Sequence, residues 1–356
     1  DLEEQGCYVS PSITSEDEAL KTACETMNKY VGARITYQFG DKSETLSGDE
    51  IHNWLTVNGT SVRINEGKAT EYVKKLAASY DTAYKAKSLK TSYGKTVSIT
   101  GGSYGYKINP AKEAATLVSL IKNGEQTSRE PEYSQKGASR TGNDYGNTYV
   151  EINLTAQHLY FYVKGKLVVQ SDFVSGNAAK GWSTPAGAYS ITYKQRNATL
   201  KGQGYATPVS YWMPFNGGIG LHDANWRKTF GGTIYKTNGS HGCVNLPPAV
   251  AKTIYENISA GDPVLCYHLD GTESASTSGT KKDETAATTA AATTAAPETT
   301  VAPTTAAPET TAAPTTAAPT TEAPTTPAAG GDQESVGPGF APETEGTTEQ
   351  EVGPGF

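Results

Sequence analysis

Apolar and polar positions change their period along the chain, and the changes divide it into three stretches. Up to about residue 145, helical and strand periods alternate. Ser15 to Tyr30 predicts a first helix, and Ile35, Tyr37 and Phe39 alternate with polar residues as a half-buried strand does. Ser47-Gly-Asp-Glu50 has the spacing of a capping box, with a short helix through Trp54 and Leu55 behind it. Ala69, Tyr72, Val73, Leu76, Tyr80, Ala83 and Tyr84 fall on one helical face. Asn109-Pro110 starts another helix, Ala114, Leu117, Val118 and Ile121 continue it, and Gly124 stops it. The polar stretch from Glu125 to Asn147 reads as an interdomain linker.

From Thr148 the period becomes two. Val150, Ile152 and Leu154 share a strand face, and His158–Val163, Lys164-Gly165 and Lys166–Val174 read as a hairpin. Gly187 to Lys194 is a further strand, and the Gly-rich stretch from Gly202 to Gly220 reads as long loops around strand ends. Pro247 to Ile258 predicts a helix and Asp262 to His268 a closing strand. After Asp270 the chain collapses into Thr, Ala and Pro, which cannot bury enough apolar surface to offset its chain entropy. The expected fold is therefore an α+β domain over residues 1–145 and a mainly β sandwich or open barrel over 146–270. An extended, disordered tail is expected over 271–356.

Charge and aromatic content follow the same division. The tail holds twelve Asp or Glu against two Lys, so the net −7 of the chain comes from it, and the rest is close to +3. Of 32 aromatic residues, 30 precede the tail. No Lys/Arg cluster points to nucleic acid, and no run of eighteen apolar residues could span a membrane. Because the first residue is Asp1, a signal peptide or single N-terminal anchor is expected ahead of it. VGPGF occurs at 336–340 and 352–356, as a recognition element or as low-complexity drift. No sorting signal of the LPxTG kind follows it.

Four cysteines do not make a disulfide scaffold. Cys7 and Cys24 are near enough in sequence to pair or can remain separate thiols, and Cys266, between Leu265 and Tyr267, reads as core. Cys243 differs, because it lies in Ser240-His241-Gly242-Cys243-Val244-Asn245, with seventeen residues between His222 and Ser240. A catalytic cysteine reacts as thiolate, so it needs an imidazole to take its proton. The glycine beside it permits close approach, and main-chain amides of the loop can bind an oxyanion. Against this stand blander readings: a buried thiol for Cys243, a satisfied core histidine for His222, and for His241 either site or scaffold. A zinc site from His222, His241, Cys243 and His268 lacks the usual ligand spacings. Trp54, Trp182 and the N-terminal tyrosines can form a glycan platform or a core, and His52 and His158 read as surface or packing residues.

The segment resembles the signature of the L,D-transpeptidases with a YkuD-type catalytic domain: a His, a spacer, then Ser/Thr-His-Gly-Cys-hydrophobic-Asn. The likeness extends over about Asn147 to His268, including Tyr149-Val-Glu-Ile-Asn-Leu-Thr, Ser183-Thr-Pro-Ala-Gly187 and Gly220-Leu-His-Asp223. Residues 25–130 resemble the peptidoglycan-binding domain that precedes this domain in some Gram-positive members, through Phe39-Gly-Asp, Leu46-Ser-Gly and Trp54-Leu. The resemblance implies a bacterial, extracytoplasmic enzyme in which Cys243 attacks the carbonyl between the third and fourth residues of a donor stem tetrapeptide and releases D-Ala. The side-chain amine of residue three on an acceptor stem then takes the acyl group, giving a 3→3 cross-link. His222 is the implied base, oriented near Asp223, and the His241, Gly242 and Cys243 amides are the implied oxyanion donors. Trp226 and Asn245 match donor-cleft positions, with Ser240 and Asp223 beside them, and Tyr211, Trp212 and Met213 are expected walls. No metal or organic cofactor is implied, and carbapenem β-lactams are expected to acylate the thiol. Two other functions remain open: an L,D-carboxypeptidase using the same thiol, and a non-catalytic wall-binding protein.

Overall fold

The computed structural model describes residues 5–7, 14–202 and 205–273. Expectations for the tail and its VGPGF repeats lie outside the described residues.

The N-terminal half carries both helices and strands. Ile35, Tyr37 and Phe39 point inward from the strand Arg34–Phe39, which pairs antiparallel with Lys42–Leu46 and parallel with Gln126–Arg129. The helices Glu66–Tyr80 and Pro110–Asn123 press Val73, Leu76, Leu117 and Ile121 onto that face. Pro110–Asn123 starts and stops as its sequence predicts: the Asn109 side chain accepts from the Lys112 amide, and Gly124 closes the helix at φ 68°. The capping box is not formed. The Ser47 hydroxyl turns to Asp49 at 3.5 Å, and Glu50 accepts from the Trp54 indole at 3.3 Å instead.

One carboxylate is sealed in this half. Glu113 is 0% exposed and accepts from Tyr37 Oη, Arg129 Nη1 and the Glu132 amide, each at 2.6 Å. Three donors replace the water it has lost, so burial is tolerated.

The C-terminal half is mainly β, with two sheets. Five strands run in the order Lys166–Asp172, His158–Val163, Tyr149–Asn153, Pro263–Tyr267, Gly187–Ser190. Four run in the order Gln195–Gly202, Tyr205–Asn216, Ile219–Asp223, Val244–Leu246. Val150, Ile152, Leu159 and Phe161 from the first meet Met213, Leu221, Val244 and Leu246 from the second, and the helix Pro248–Asn257 adds Ala251 and Ile254. The hairpin turn has positive φ at both Lys164 and Gly165, the backbone that a two-residue turn between right-twisted strands requires.

Two readings are corrected. Where the Gly-rich stretch predicts loops, Tyr205–Asn216 is the longest strand described, its apolar residues lying at both sheet faces so that no simple period announces it. Where Glu125–Asn147 reads as a linker, Gln126–Arg129 and Tyr133–Gln135 are strands. In the same stretch, the Arg140 guanidinium lies 3.8 Å from the Tyr106 ring centroid and donates to the Tyr80 carbonyl. A polar segment is held here by charge and main-chain pairing, not by an apolar stripe.

The halves share contacts. Leu89, Ile99 and Tyr104 pack with Leu265 and Tyr267. The fully buried Glu151 accepts from Ser92 N at 2.9 Å, Ser92 Oγ at 2.7 Å and Tyr267 Oη at 2.6 Å.

Replacing Glu113 by Ala strands Arg129 and Tyr37 without their acceptor. We expect urea unfolding to report a loss of about 3 kcal/mol for Glu113→Ala, and a smaller loss for Tyr37→Phe.

Candidate active site

Main-chain register builds the site. Ile219–Asp223 lies between Tyr205–Asn216, antiparallel, and Val244–Leu246, parallel, and His222 is opposite both Trp212 and Asn245. Residues opposite one another across a sheet share a face. Met213, Leu221 and Val244 form one such row, all 0% exposed in the core between the sheets. Trp212, His222 and Asn245 form the next row and occupy the other face. Cys243, two residues before Asn245, is on that face too, against the cluster of Trp212, Val209 and Ala198.

His222 is 3% exposed, and its Nδ1 lies 2.8 Å from the Asp223 main-chain carbonyl. A carbonyl only accepts, so Nδ1 carries the proton and Nε2 keeps a free lone pair. Burial holds the imidazole below its ordinary value, which Asp223 offsets only in part. The Cys243 thiol donates to the Gly218 carbonyl at 3.5 Å. Burial pushes it up to about 11, while the Gly220 amide acts in the opposite direction. Thiol and imidazole are therefore both neutral at pH 7.

The loop before the cysteine is braced from below. Ser240 Oγ donates to the Cys243 carbonyl at 2.5 Å and accepts from the Gly242 amide at 3.0 Å. Thr184 Oγ1 donates to the Gly242 carbonyl at 2.6 Å and accepts from the Gly176 amide at 3.0 Å. The Ser240 amide donates to Ser175, whose own amide donates to the fully buried Gln157 at 2.9 Å. Gly242 sits at φ 117°, where a side chain would be strained, and a Cβ there would meet Ile219 Cδ1 at 3.1 Å.

Several expected site residues occupy other places. Met213 is in the core, and Tyr211 turns toward that side, 5.4 Å from Tyr255 and under the Arg196 guanidinium, so neither lines a cleft. Asp223 is 2% exposed, and its Oδ1 accepts from the Ser210 and Tyr211 amides at 2.8 Å each, so its carboxylate braces a strand. The only donor of the Ser240 hydroxyl is spent on Cys243. The Gly242 amide is spent on Ser240, which takes it from the expected oxyanion donors.

Of the remaining residues, Trp226 and Trp212 lie near His222. Trp226 is 48% exposed with its ring 6.0 Å from that of His222, and Trp212 is 5.9 Å away on the other side. Asn245 is 2% exposed, and its Oδ1 has no hydrogen-bond partner among the described residues. His241 is exposed and stacks on Trp182 at 4.2 Å, with Lys180 over the same indole. Desolvation, then Lys180, holds its imidazole low. His268 lies apart, beside Thr155 at 3.4 Å, and among the described residues no group of three His, Cys, Asp or Glu could hold a metal ion. Cys7, Cys24 and Cys266 are free thiols, the last in the core. Thr184, Gln157 and Trp182 escape sequence reasoning as site residues. Only Thr184 carries a signal, within Ser183-Thr-Pro-Ala-Gly187.

Residues 147–266 match the family model described as the L,D-transpeptidase catalytic domain, and residues 13–129 that described as "Putative peptidoglycan binding domain". A crystal structure of an Enterococcus faecium L,D-transpeptidase with a Cys-to-Ser substitution is 32% identical. It covers 68% of this chain and 99% of its own, at TM-score 0.57. The Ldtfm–avibactam carbamoyl enzyme is 33% identical, covering 70% of this chain and 98% of its own, also at TM-score 0.57. No curated protein matches. The chain belongs to the L,D-transpeptidase family. Residues 147–266 are the catalytic domain of enzymes that act on peptidoglycan.

Two outcomes test the geometry. Peptide-mapped iodoacetamide alkylation of Cys243 should be slow at pH 7 and rise toward pH 11. Thr184→Val frees the Gly242 carbonyl and shifts the loop. We expect kcat to fall on the order of 100-fold, the loss typical of a displaced reacting group, with the fold intact by circular dichroism.

Proposed function

We propose that this protein is a peptidoglycan L,D-transpeptidase that forms 3→3 cross-links through a Cys243 thioester. The observation that carries the reading is the shared sheet face of Cys243 and His222, fixed by the pairs Leu221–Val244 and His222–Asn245.

The reaction follows from the protonation states. As a donor tetrapeptide is seated, His222 Nε2 takes the Cys243 proton while sulfur attacks the carbonyl of residue three. Neither neutral group favours ion-pair formation at rest, so proton transfer accompanies the attack. The carbonyl oxygen becomes an oxyanion, for which the Cys243 amide is a donor while the Gly242 amide serves Ser240. Collapse breaks the C–N bond, the imidazolium returns the proton to the departing D-Ala amine, and a thioester remains. The side-chain amine of residue three on an acceptor stem attacks the thioester carbonyl. It loses a proton to the same imidazole and expels the thiolate, which is reprotonated. Trp226 offers the exposed wall, and the unpaired Asn245 Oδ1 accepts from a substrate N–H. The chain acts outside the cytoplasm, at the cell wall where such stems occur. β-Lactams react at the same sulfur, in keeping with the avibactam carbamoyl enzyme of Ldtfm.

Incubating the protein with a disaccharide-tetrapeptide should yield a cross-linked dimer by mass spectrometry, and Cys243→Ala should yield none. Tripeptide as sole product would make the protein a carboxypeptidase. An intact mass unchanged by a carbapenem and by avibactam, with no turnover, would make it a wall-binding protein. His222→Ala should lower kcat/KM by about 10²–10⁴-fold, the usual contribution of a general base.

The pH profile follows from the same shift. His222 must be neutral to act, and its folded value lies below the ordinary 6.5. Activity is thus retained as pH falls through 6.5 and lost only below it. An acid limb at or above 6.5 would show that another group is the base.

A further inference from the structure

A cleft of about 380 Å³ lies where the halves meet, away from the thiol. Lys90 and Ser92 from the N-terminal half line it, with Asn143 and Asn147 from the connecting segment and Tyr149 and Tyr162 from the catalytic sheet. We propose that this cleft binds the glycan of peptidoglycan, seating N-acetylhexosamine rings. The proposal rests on the transpeptidase reading for the identity of the polymer.

The chemistry of the lining selects a sugar. The Tyr149 and Tyr162 rings are 5.3 Å apart at 33°, a continuous aromatic strip, and Tyr145 stands edge-on to Tyr149 at 5.5 Å. Such a strip takes the C–H face of a pyranose, while the exposed Asn143 and Asn147 carboxamides offer donors and acceptors to hydroxyl and acetamido groups. Neither carboxamide makes a side-chain hydrogen bond among the described residues. The lining holds one cation, Lys90, and no acid, which suits a neutral polyhydroxyl ligand better than a polyanion. The volume falls within the ~300–1,000 Å³ range of small-molecule sites.

The cleft is also built in advance. Ser92 Oγ lies 2.8 Å from Tyr162 Oη, and Glu151 beneath holds Ser92 by amide and hydroxyl. Pre-ordering of this kind lowers the entropic cost of seating a ligand. Of the tryptophans the sequence offers as a platform, Trp54 is 2% exposed, and Trp182, 38% exposed, stacks on His241 and does not line this cleft.

Location gives the cleft its role. It sits at the turn end of the hairpin, beside Gly165, whereas Val174 at the other end bridges Asn245. Nine residues of extended chain separate the two, at most roughly 30 Å. Glycan held here leaves the thiol open, so the cleft anchors the enzyme on the polymer without occupying the reaction centre.

The test titrates the full chain with the β-1,4-linked hexamer of N-acetylglucosamine by calorimetry. Turnover of a sugar-free tetrapeptide is measured in parallel. Wild type and Cys243→Ala should bind the hexamer equally. The double variant Asn143→Ala/Asn147→Ala should bind ~5-fold more weakly, as expected for one or two lost hydrogen bonds, with unchanged tetrapeptide turnover. Tyr162→Ala, checked for folding by circular dichroism, should also bind more weakly. Absence of binding to wild type at millimolar hexamer, equal binding by both variants, or competition between hexamer and tetrapeptide would overturn the proposal. If wild type fails to turn over tetrapeptide yet binds hexamer at this cleft, the transpeptidase reading fails and the sugar site stands.

Discussion

The site depends on the parallel pairing of Ile219–Asp223 with Val244–Leu246. It is short, three register pairs, yet both faces constrain it. On one, Leu221 and Val244 are sealed in the core with Met213, and on the other His222 and Asn245 lie beside Trp212. Slipping Val244–Leu246 by one residue would turn Asn245 into the apolar interior and expose Val244 and Leu246. The hydrophobic core thus fixes which atoms meet at the thiol, although it touches none of the chemistry.

Register alone does not hold a loop, and the loop carrying Cys243 is held by polar atoms with no remaining freedom. Ser240 and Thr184 each donate once and accept once within it, and Gln157 anchors Ser175 beneath. These bonds are shielded, so each is worth more than its counterpart in water, and breaking one leaves a buried orphan. Asp223 does similar work on the other flank, its carboxylate filling the needs of two main-chain amides while its carbonyl sets the His222 tautomer. Side chains that look like substrate ligands in the sequence are consumed in holding the nucleophile still. Asn245 Oδ1 is the exception, and a buried acceptor left open beside the base is where a substrate amide gains most.

Much of this was legible in the chain. The His222–Cys243 pair follows from the signature, and Pro110–Asn123 from its Asn cap and terminal Gly, because local chemistry decides both. The period of two announces the β domain, but not Tyr205–Asn216, since Trp212 to Phe215 are buried in succession and glycines flank the strand. The Glu125–Asn147 stretch is polar throughout, and only tertiary contacts such as Arg140 against Tyr106 reveal that it is packed. Nor can composition separate Trp212, on the site face, from its neighbours Tyr211 and Met213. That distinction requires the register.

The electrostatics of the pair tie fold to chemistry. A thiol raised by burial and an imidazole lowered by it are both stabilised in the uncharged form, against the usual picture of a preformed thiolate–imidazolium. With His222 3% exposed, an ion pair at rest would have to be sustained at a desolvation cost to the imidazolium. In the reaction proposed above, keeping the pair neutral makes charge separation coincide with bond formation. A thiol held protonated is also slower to be oxidised or alkylated, since both reactions need thiolate. On the function proposed above, the sulfur stays protonated until a stem peptide supplies the carbonyl that makes proton transfer favourable.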